Sequence, residues 1–513
     1  MHPGKWSAVA PDRPAVVLAS TGASMTYAQL DRDSIRLARL LAERGLVRGD
    51  VVALISDNRI EAFVPYWATR RSGLYITAAN SHLTADEAAY VLRDCGAKAV
   101  VVSAGVAEMG AAACAGLPAS TVLLSYGGAI PGFEDMATAL EGVSDAPLAA
   151  QPKGADMLYS SGTTGRPKGV KPPLPAGDVD AEGDMIALVF GGAYGFGEDT
   201  VYLSPAPIYH AAPLRFSAAV QALGGTVVMM DRFDAEGALR AIQDYAVTHS
   251  QWVPTMFIRM LKLPDDVRAR YDVSSLQVAI HAAAPCPIDV KRKMIEWWGP
   301  VLVEYYAATE AVGITMIDST EWLAHPGSVG RSLLGAVHIV DDDGRELPPG
   351  QAGTIYFTSP SGALPFSYHG DPEKTRAASH PDHPDWGTTG DIGYVDEDGW
   401  LFLTDRKAFM IISGGVNIYP QEVENVLALH PAITDVAVIG VPDDEMGERV
   451  LAVIQPAPGV EGTPQLAEEI LAFTRERLAG YKCPRAVDFV DALPRTPTGK
   501  LVKGPLRDRY ARA

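Results

Sequence analysis

Along the first 400 residues, short apolar runs alternate with segments whose apolar positions recur every three to four residues. Residues 27–43 and 84–95 carry the helical spacing. Each leads into a buried-strand run, Val51-Val52-Ala53-Leu54-Ile55 after the first and Ala99-Val100-Val101-Val102 after the second. Residues 226–230 and 277–280 extend the rhythm. Helix–strand alternation of this kind predicts an α/β unit with largely parallel sheets.

The pattern changes between 327 and 404, where short strands are joined by tight turns. Asp343-Gly344 and Asp398-Gly399 each lie between apolar runs and predict hairpins. Asp341-Asp342-Asp343-Gly344 lacks the spaced oxygen ligands and distal Glu of a calcium loop, so it reads as a turn. The last hundred residues predict a separate small α+β unit beginning near Asp405. Its helices are expected over 420–429, opening on Pro420, and over 464–478. Its strands are expected over 436–439 and 450–454. The fold class expected is therefore α/β: a large N-terminal domain of parallel-sheet subdomains plus a β-rich subdomain, followed by a small α+β C-terminal domain.

Charge changes the picture in one respect. The 62 acidic and 43 basic side chains leave a net charge of −19, which argues against a nucleic-acid backbone as partner but leaves room for a locally basic pocket. Cys95, Cys114, Cys286 and Cys483 show no C-x-x-C spacing, as expected of reduced thiols in a cytosolic protein without a zinc framework. No signal peptide and no transmembrane run is expected, so the location read is cytoplasmic, with no stable membrane anchor. His380, Asp382, His383 and Asp385 form a dense run, but Pro381 and Pro384 deny it a rigid base, and a polar loop is expected there.

The most informative segment is Tyr159-Ser160-Ser161-Gly162-Thr163-Thr164-Gly165-Arg166-Pro167-Lys168-Gly169. Glycines let backbone N–H groups approach an anion, hydroxyls donate to its oxygens, and Lys168 adds a compact positive charge. It is not a Walker A loop, because Pro167 precedes the lysine and Gly169 follows it. On composition alone it is a candidate nucleotide-triphosphate site or a flexible surface loop.

This segment resembles the signature loop of the adenylate-forming enzymes: acyl-CoA synthetases, luciferases and the adenylation domains of peptide synthetases. Further segments similar to theirs follow in order, so the resemblance spans nearly the whole chain. They are Pro207-Ile208-Tyr209-His210, Tyr306-Ala307-Ala308-Thr309-Glu310, Thr389-Gly390-Asp391, Asp405-Arg406-Lys407-Ala408, Ser413-Gly414-Gly415-Val416-Asn417-Ile418-Tyr419-Pro420 and Pro497-Thr498-Gly499-Lys500. The resemblance implies a division into 1–404, a hinge at 405–408 and a mobile 409–513. It implies ATP, Mg2+ and coenzyme A as cofactors and a carboxylic acid as substrate. The acid would attack the α-phosphate of ATP, and the thiol of coenzyme A would then displace AMP.

The resemblance also implies roles residue by residue. Lys500 would bridge the substrate carboxylate and the α-phosphate. Ser160, Ser161, Gly162, Thr163, Thr164, Gly165 and Lys168 would cradle the phosphates, with Glu310 and Thr164 on Mg2+. Ala282 and Ala283 would line the adenine, joined in the nucleotide site by Tyr306, Ala307 and Thr309. Asp391 would accept from the ribose hydroxyls, and Arg406 would add a ribose or phosphate contact. His210 beside Tyr209 would gate the carboxylate site. Ser413, Gly414 and Gly415 would face the pantetheine arm in a second domain pose. Tyr305, Tyr306, Trp252 and Met256 are candidates for the acyl wall, and the small Ala211, Ala212, Ala307 and Ala308 would leave space for a medium-chain, long-chain or bulky acid.

Two departures stand out: Ala307 where the family has Gly, and Ala408 where its hinge commonly has Lys or Asp. Either could weaken one half-reaction, so an enzyme specialised for adenylation or for thioester formation stays open. So do loading of a carrier-protein phosphopantetheine, a luciferase-like second activity and a non-catalytic nucleotide-binding protein. A homodimer is compatible with the sequence.

Overall fold

The computed structural model describes residues 2–160, 167–181, 185–406, 409–413, 416–428, 430–443, 446–495 and 501–511. The first long helix, Tyr27–Glu43, starts where the sequence says it should. The Thr26 hydroxyl accepts from the Gln29 backbone N–H, and the Gln29 side chain accepts from the Thr26 N–H. This capping box satisfies two backbone donors beside the helix start. Tyr27, Leu30, Leu37 and Leu41 fall on one stripe and are fully buried.

That stripe packs onto a six-stranded, wholly parallel sheet. Its order is Glu134–Asp135, Val122–Tyr126, Ala97–Ser103, Val51–Ile55, Tyr75–Ala79, Ala155–Asp156. Every residue of Val51–Ile55 is buried, as a strand covered on both faces requires. A second, larger sheet carries Val201–Ser204, His249–Trp252, Val278–His281 and Leu302–Ala307 in parallel. The main core lies between the two sheets. Val52, Leu54 and Ile76 of one face Tyr202, Val227 and Met229 of the other across the helices Tyr27–Glu43, Phe63–Arg70 and Ala211–Ala222.

The parallel run ends at Leu302–Ala307. Leu302–Ala307 is followed by Ile314–Asp318, paired antiparallel to it, because the six residues between them are too few for a crossover. The large sheet is therefore mixed. Its antiparallel half continues through Ser328–Leu334, Leu401–Arg406 and Asp391–Val395. The Asp398-Gly399 turn closes the last pair: Val395 opposes Leu401, and Gly399 takes φ +82°. The Asp343-Gly344 turn packs against the His/Asp run. His380 Nε2 lies 3.0 Å from the Gly344 carbonyl oxygen, and the His383 ring stacks on Trp386 with centroids 4.1 Å apart. These histidines are fastened as packing groups.

The C-terminal residues build their own five-stranded sheet. Ile433–Asp443 and Gly447–Pro456 form a long antiparallel pair, extending well past the apolar cores expected at 436–439 and 450–454. The helices Pro420–Leu427 and Pro464–Arg475 pack beside it, each with a proline in its first turn. Among the described residues no helix is long and apolar enough to cross a membrane. All four cysteines are free, and burial raises their thiols: Cys95 to about 12, Cys114 to about 11, with Cys286 and Cys483 shifted the same way.

One charged group sits deep in the second sheet. Lys291 Nζ lies 2.6 Å from Glu304 Oε2, and both are buried, beside a His281 that burial and Lys291 together hold neutral. Breaking such a pair from one side strands the other charge in a low dielectric. Lys291→Met is expected to lower the unfolding free energy by about 3–5 kcal/mol, and Lys291→Met/Glu304→Leu to recover most of it. Urea denaturation of the three proteins measures this. The same cluster sets a pH trend. An unfolded histidine gains its proton near the ordinary value of about 6.5, whereas native His281 does not, so stability falls as pH drops below that value. His281→Leu is expected to flatten that fall.

Candidate active site

The described residues on either side of the Gly/Ser/Thr-rich segment lie on a small three-stranded antiparallel sheet. Leu158–Ser160 pairs with Lys168–Lys171, which in turn pairs with Ser367–Tyr368. Lys168 opposes Ser160 and projects its ammonium 5.2 Å from the centre of the Tyr368 ring. Ser161, Gly162, Thr163, Thr164 and Gly165 lie outside the described residues. Gly169 has a packing role: a Cβ there would stand 2.9 Å from Met157 Cε and 3.1 Å from the Tyr159 ring.

Glu310 reaches the same place from the second sheet. It follows Leu302–Ala307 in a tight turn where Ala311 N–H donates to the Ala308 carbonyl and Ala311 is forced to φ +54°. Its carboxylate is buried, and Oε1 accepts from the Tyr368 hydroxyl at 2.9 Å. Tyr368 therefore touches both the lysine and the glutamate, a link invisible in the sequence because the three residues come from distant segments.

Asp391 is the second ordered carboxylate. It opens the strand Asp391–Val395, and its Oδ2 accepts from Tyr306 Oη at 2.7 Å and Thr389 Oγ1 at 2.8 Å. Arg406 stands opposite it in the backbone register. Ala282 follows the strand Val278–His281, and Ala283 adopts φ +76°, a left-handed conformation that costs an alanine energy and fixes the following chain. Ala307 ends the strand that carries Tyr306. Ser413 ends a strand of the C-terminal sheet and pairs with Val416 on one side and Gly447 on the other. Gly414, Gly415 and Lys500 lie outside the described residues, as does Ala408.

His210 is the N-cap residue of the helix Ala211–Ala222, and its ring lies 4.5 Å from the ring of Tyr209. Burial pushes the Tyr209 phenol well above its ordinary range, and its hydroxyl finds no hydrogen-bond partner among the described residues. From the same helix Phe216 stacks on Tyr305, centroids 5.6 Å apart, within a cluster that includes Phe190, Tyr194 and Tyr202. Gln251 donates to the Tyr305 hydroxyl at 3.1 Å.

The expectation that Trp252 and Met256 line this wall is corrected. Successive residues of His249–Trp252 point to opposite faces of the sheet, so Gln251 faces Tyr305 while Trp252 turns away. Trp252 and Met256 are packed with Phe257 and Trp298 in the core on the other side.

A charged link that the motifs did not reveal joins these pieces. Arg215 Nε donates to Asp156 Oδ2 at 3.0 Å, and its Nη1 reaches the Thr309 carbonyl at 3.5 Å. Asp156 is buried just ahead of the phosphate strand, Arg215 lies one turn past His210, and Thr309 precedes Glu310. The available signal was a single charge of opposite sign inside each of two apolar runs.

The described residues thus hold one lysine beside Tyr368, two carboxylates oriented by hydroxyl donors, Glu310 and Asp391, and a cluster of aromatic residues around Tyr305. This fits a site for a nucleotide and an apolar acid. Residues 5–365 match the family model described as AMP-binding enzyme, and residues 422–500 match the AMP-binding enzyme C-terminal domain. The chain is 34% identical over 495 residues to feruloyl-CoA synthase of Amycolatopsis sp, covering 95% of this chain and 94% of that protein. It is 32% identical over 509 residues to the long-chain-fatty-acid–CoA ligase FadD13 of Mycobacterium tuberculosis H37Rv, covering 98% and 96%. The ATP-bound crystal structure of MatB from Rhodopseudomonas palustris superposes with a TM-score of 0.80 at 29% identity, covering 100% and 99%. The site and these matches agree: the chain belongs to the AMP-binding enzymes, the adenylate-forming family, and is an AMP-forming acid–thiol ligase of acyl-CoA synthetase type.

Proposed function

We propose that the chain converts a ring-bearing or medium- to long-chain carboxylic acid, with ATP and coenzyme A, into its acyl-CoA, AMP and pyrophosphate. The observation that carries the choice of acid is the half-buried Tyr305, backed by the buried Phe216, together with the half-buried Ala211 and Ala212. A wall of this kind gains free energy from burying apolar surface, about 25 cal/mol per Å2, which acetate scarcely offers. The acids named in the relatives above, feruloyl and long-chain fatty, point the same way.

In the first half-reaction the acid's carboxylate oxygen attacks the α-phosphorus, the α–β bridging bond breaks, and pyrophosphate leaves. Lys168 and the hydroxyls of the loop, with Thr163 and Thr164 among them, take up phosphate charge. Lys500 steadies the negative charge that develops between carboxylate and α-phosphate. Asp391 accepts from the ribose hydroxyls, with its orientation set by Tyr306 and Thr389. Glu310 suits Mg2+, being a carboxylate already oriented by Tyr368, and Mg2+ bound there supplies neutralisation of the triphosphate. In the second half-reaction the thiol sulfur attacks the acyl carbon and AMP leaves with the bonding pair. His210 and Tyr209 border the path to the acyl carbon. The two steps use two orientations of residues 409–513 about the segment 405–408. The first presents Lys500 and the second Ser413-Gly414-Gly415. The need for ATP and coenzyme A suits a cytoplasmic protein.

A panel of ferulate, dodecanoate, propionate and acetate with ATP, Mg2+ and coenzyme A, read by mass spectrometry, tests the acid. Thioester is expected from ferulate or dodecanoate, and reaction with acetate and propionate alone overturns the reading. Lys500→Ala is expected to slow pyrophosphate release by roughly 10²–10³ and to leave thioester formation from a synthetic acyl-adenylate nearly unchanged. Asp391→Asn weakens charge-assisted hydrogen bonds worth about 1.5–3 kcal/mol, so the KM for ATP is expected to rise by about tenfold or more. Steady-state kinetics at varied ATP checks this.

A further inference from the structure

One part of the contact between the large domain and the C-terminal sheet is open. A cleft of about 790 Å3 separates them, lined by Lys262, Arg268, Trp297, Pro431, Ala457 and Pro458. Across it the Lys262 ammonium donates to the Ile433 carbonyl at 2.5 Å. Lys262 directly follows the helix Pro254–Leu261 of the large domain, and Ile433 is the first residue of the strand Ile433–Asp443. The Lys262 side chain is exposed along its length, and partial burial of its ammonium lowers its proton affinity while nearby Asp435 raises it.

Asp435 leads onward. Its Oδ1 accepts from Arg495 Nη2 at 2.6 Å, and Arg495 pairs with Leu501 across a backbone bridge. The segment 496–500, with Lys500 at its end, is bracketed by that bridge. So the lysine of the large domain holds the end of the small domain that carries Asp435 and its partner Arg495. A polar tether over an open cleft breaks with little loss of apolar burial, as a contact that forms and releases in every catalytic cycle requires.

We propose that Lys262 is a positioning residue that docks the small domain in this orientation, and that its release from Ile433 accompanies the passage between the two half-reactions. This rests on the acyl-CoA ligase reading and its two domain orientations.

The test uses the full chain with Lys262→Met, which keeps the aliphatic stem, and Lys262→Arg, which keeps a donor. Single-turnover pyrophosphate release is measured with ATP, Mg2+ and ferulate or dodecanoate. Thioester formation is measured from coenzyme A and the synthetic adenylate of the same acid. Lys262→Met is expected to change the ratio of the two rates by about tenfold or more, as the loss of one hydrogen bond to a charged donor implies, with Lys262→Arg returning it toward wild type. Equal effects on both rates, or none on either, overturn the proposal. A second measurement needs no substrate: the distance between nitroxides on Val47→Cys and Val460→Cys, both exposed positions. A narrow distribution that broadens in Lys262→Met supports the tether, and an unchanged one refutes it. A wild-type protein that performs neither half-reaction defeats the ligase reading, and the distance measurement still decides the tether.

Discussion

Tyr368 is the group on which the described part of the site turns. In the proposed site a lysine and a glutamate serve one triphosphate, and both contact this tyrosine. Here the phenol takes the Glu310 carboxylate on its hydroxyl, at 2.9 Å, and the Lys168 ammonium near its ring, at 5.2 Å. Each charge is oriented without being neutralised by the other. The tyrosine can do this because its strand, Ser367–Tyr368, pairs with Lys168–Lys171. The small three-stranded sheet is thus what joins the phosphate segment to the carboxylate.

The second carboxylate follows the same rule with different partners. Asp391 spends one oxygen on Tyr306 and Thr389, which fixes the plane of the carboxylate. Arg215 completes the frame from behind by joining the Asp156 carboxylate to the Thr309 carbonyl. In a chain of net charge −19, Lys168 and Arg215 are the cations among these ordered groups, and the carboxylates Glu310 and Asp391 suit a metal cation and hydroxyl donors. Preorganisation of this sort lowers the cost of reorienting dipoles when charge moves between acid, phosphate and thiol.

Much of the fold was legible because local rules and tertiary packing agree there. Thr26 and Gln29 cap the helix Tyr27–Glu43 at its expected start, and Val51–Ile55 is buried throughout, as its unbroken apolar run requires. What was not legible depends on which face of a sheet a residue takes and on partners far away in the chain. Trp252 and Gln251 are neighbours, yet only the second faces the aromatic wall. The reversal after Ala307 comes from a short connection, and the strands on either side of it look like those before. Tyr368 and the Arg215–Asp156 pair bear on the site only through contacts 58 or more residues away in sequence, which periodicity does not encode.

The proposed chemistry requires nucleotide phosphates between Lys168 and Glu310. The most direct measurement is a crystal structure with ATP or a non-hydrolysable acyl-adenylate bound. The account predicts phosphate oxygens against Lys168 and the 161–165 segment, with the ribose hydroxyls on Asp391. A nucleotide bound elsewhere, with Tyr368 still bridging a vacant lysine and glutamate, would contradict it.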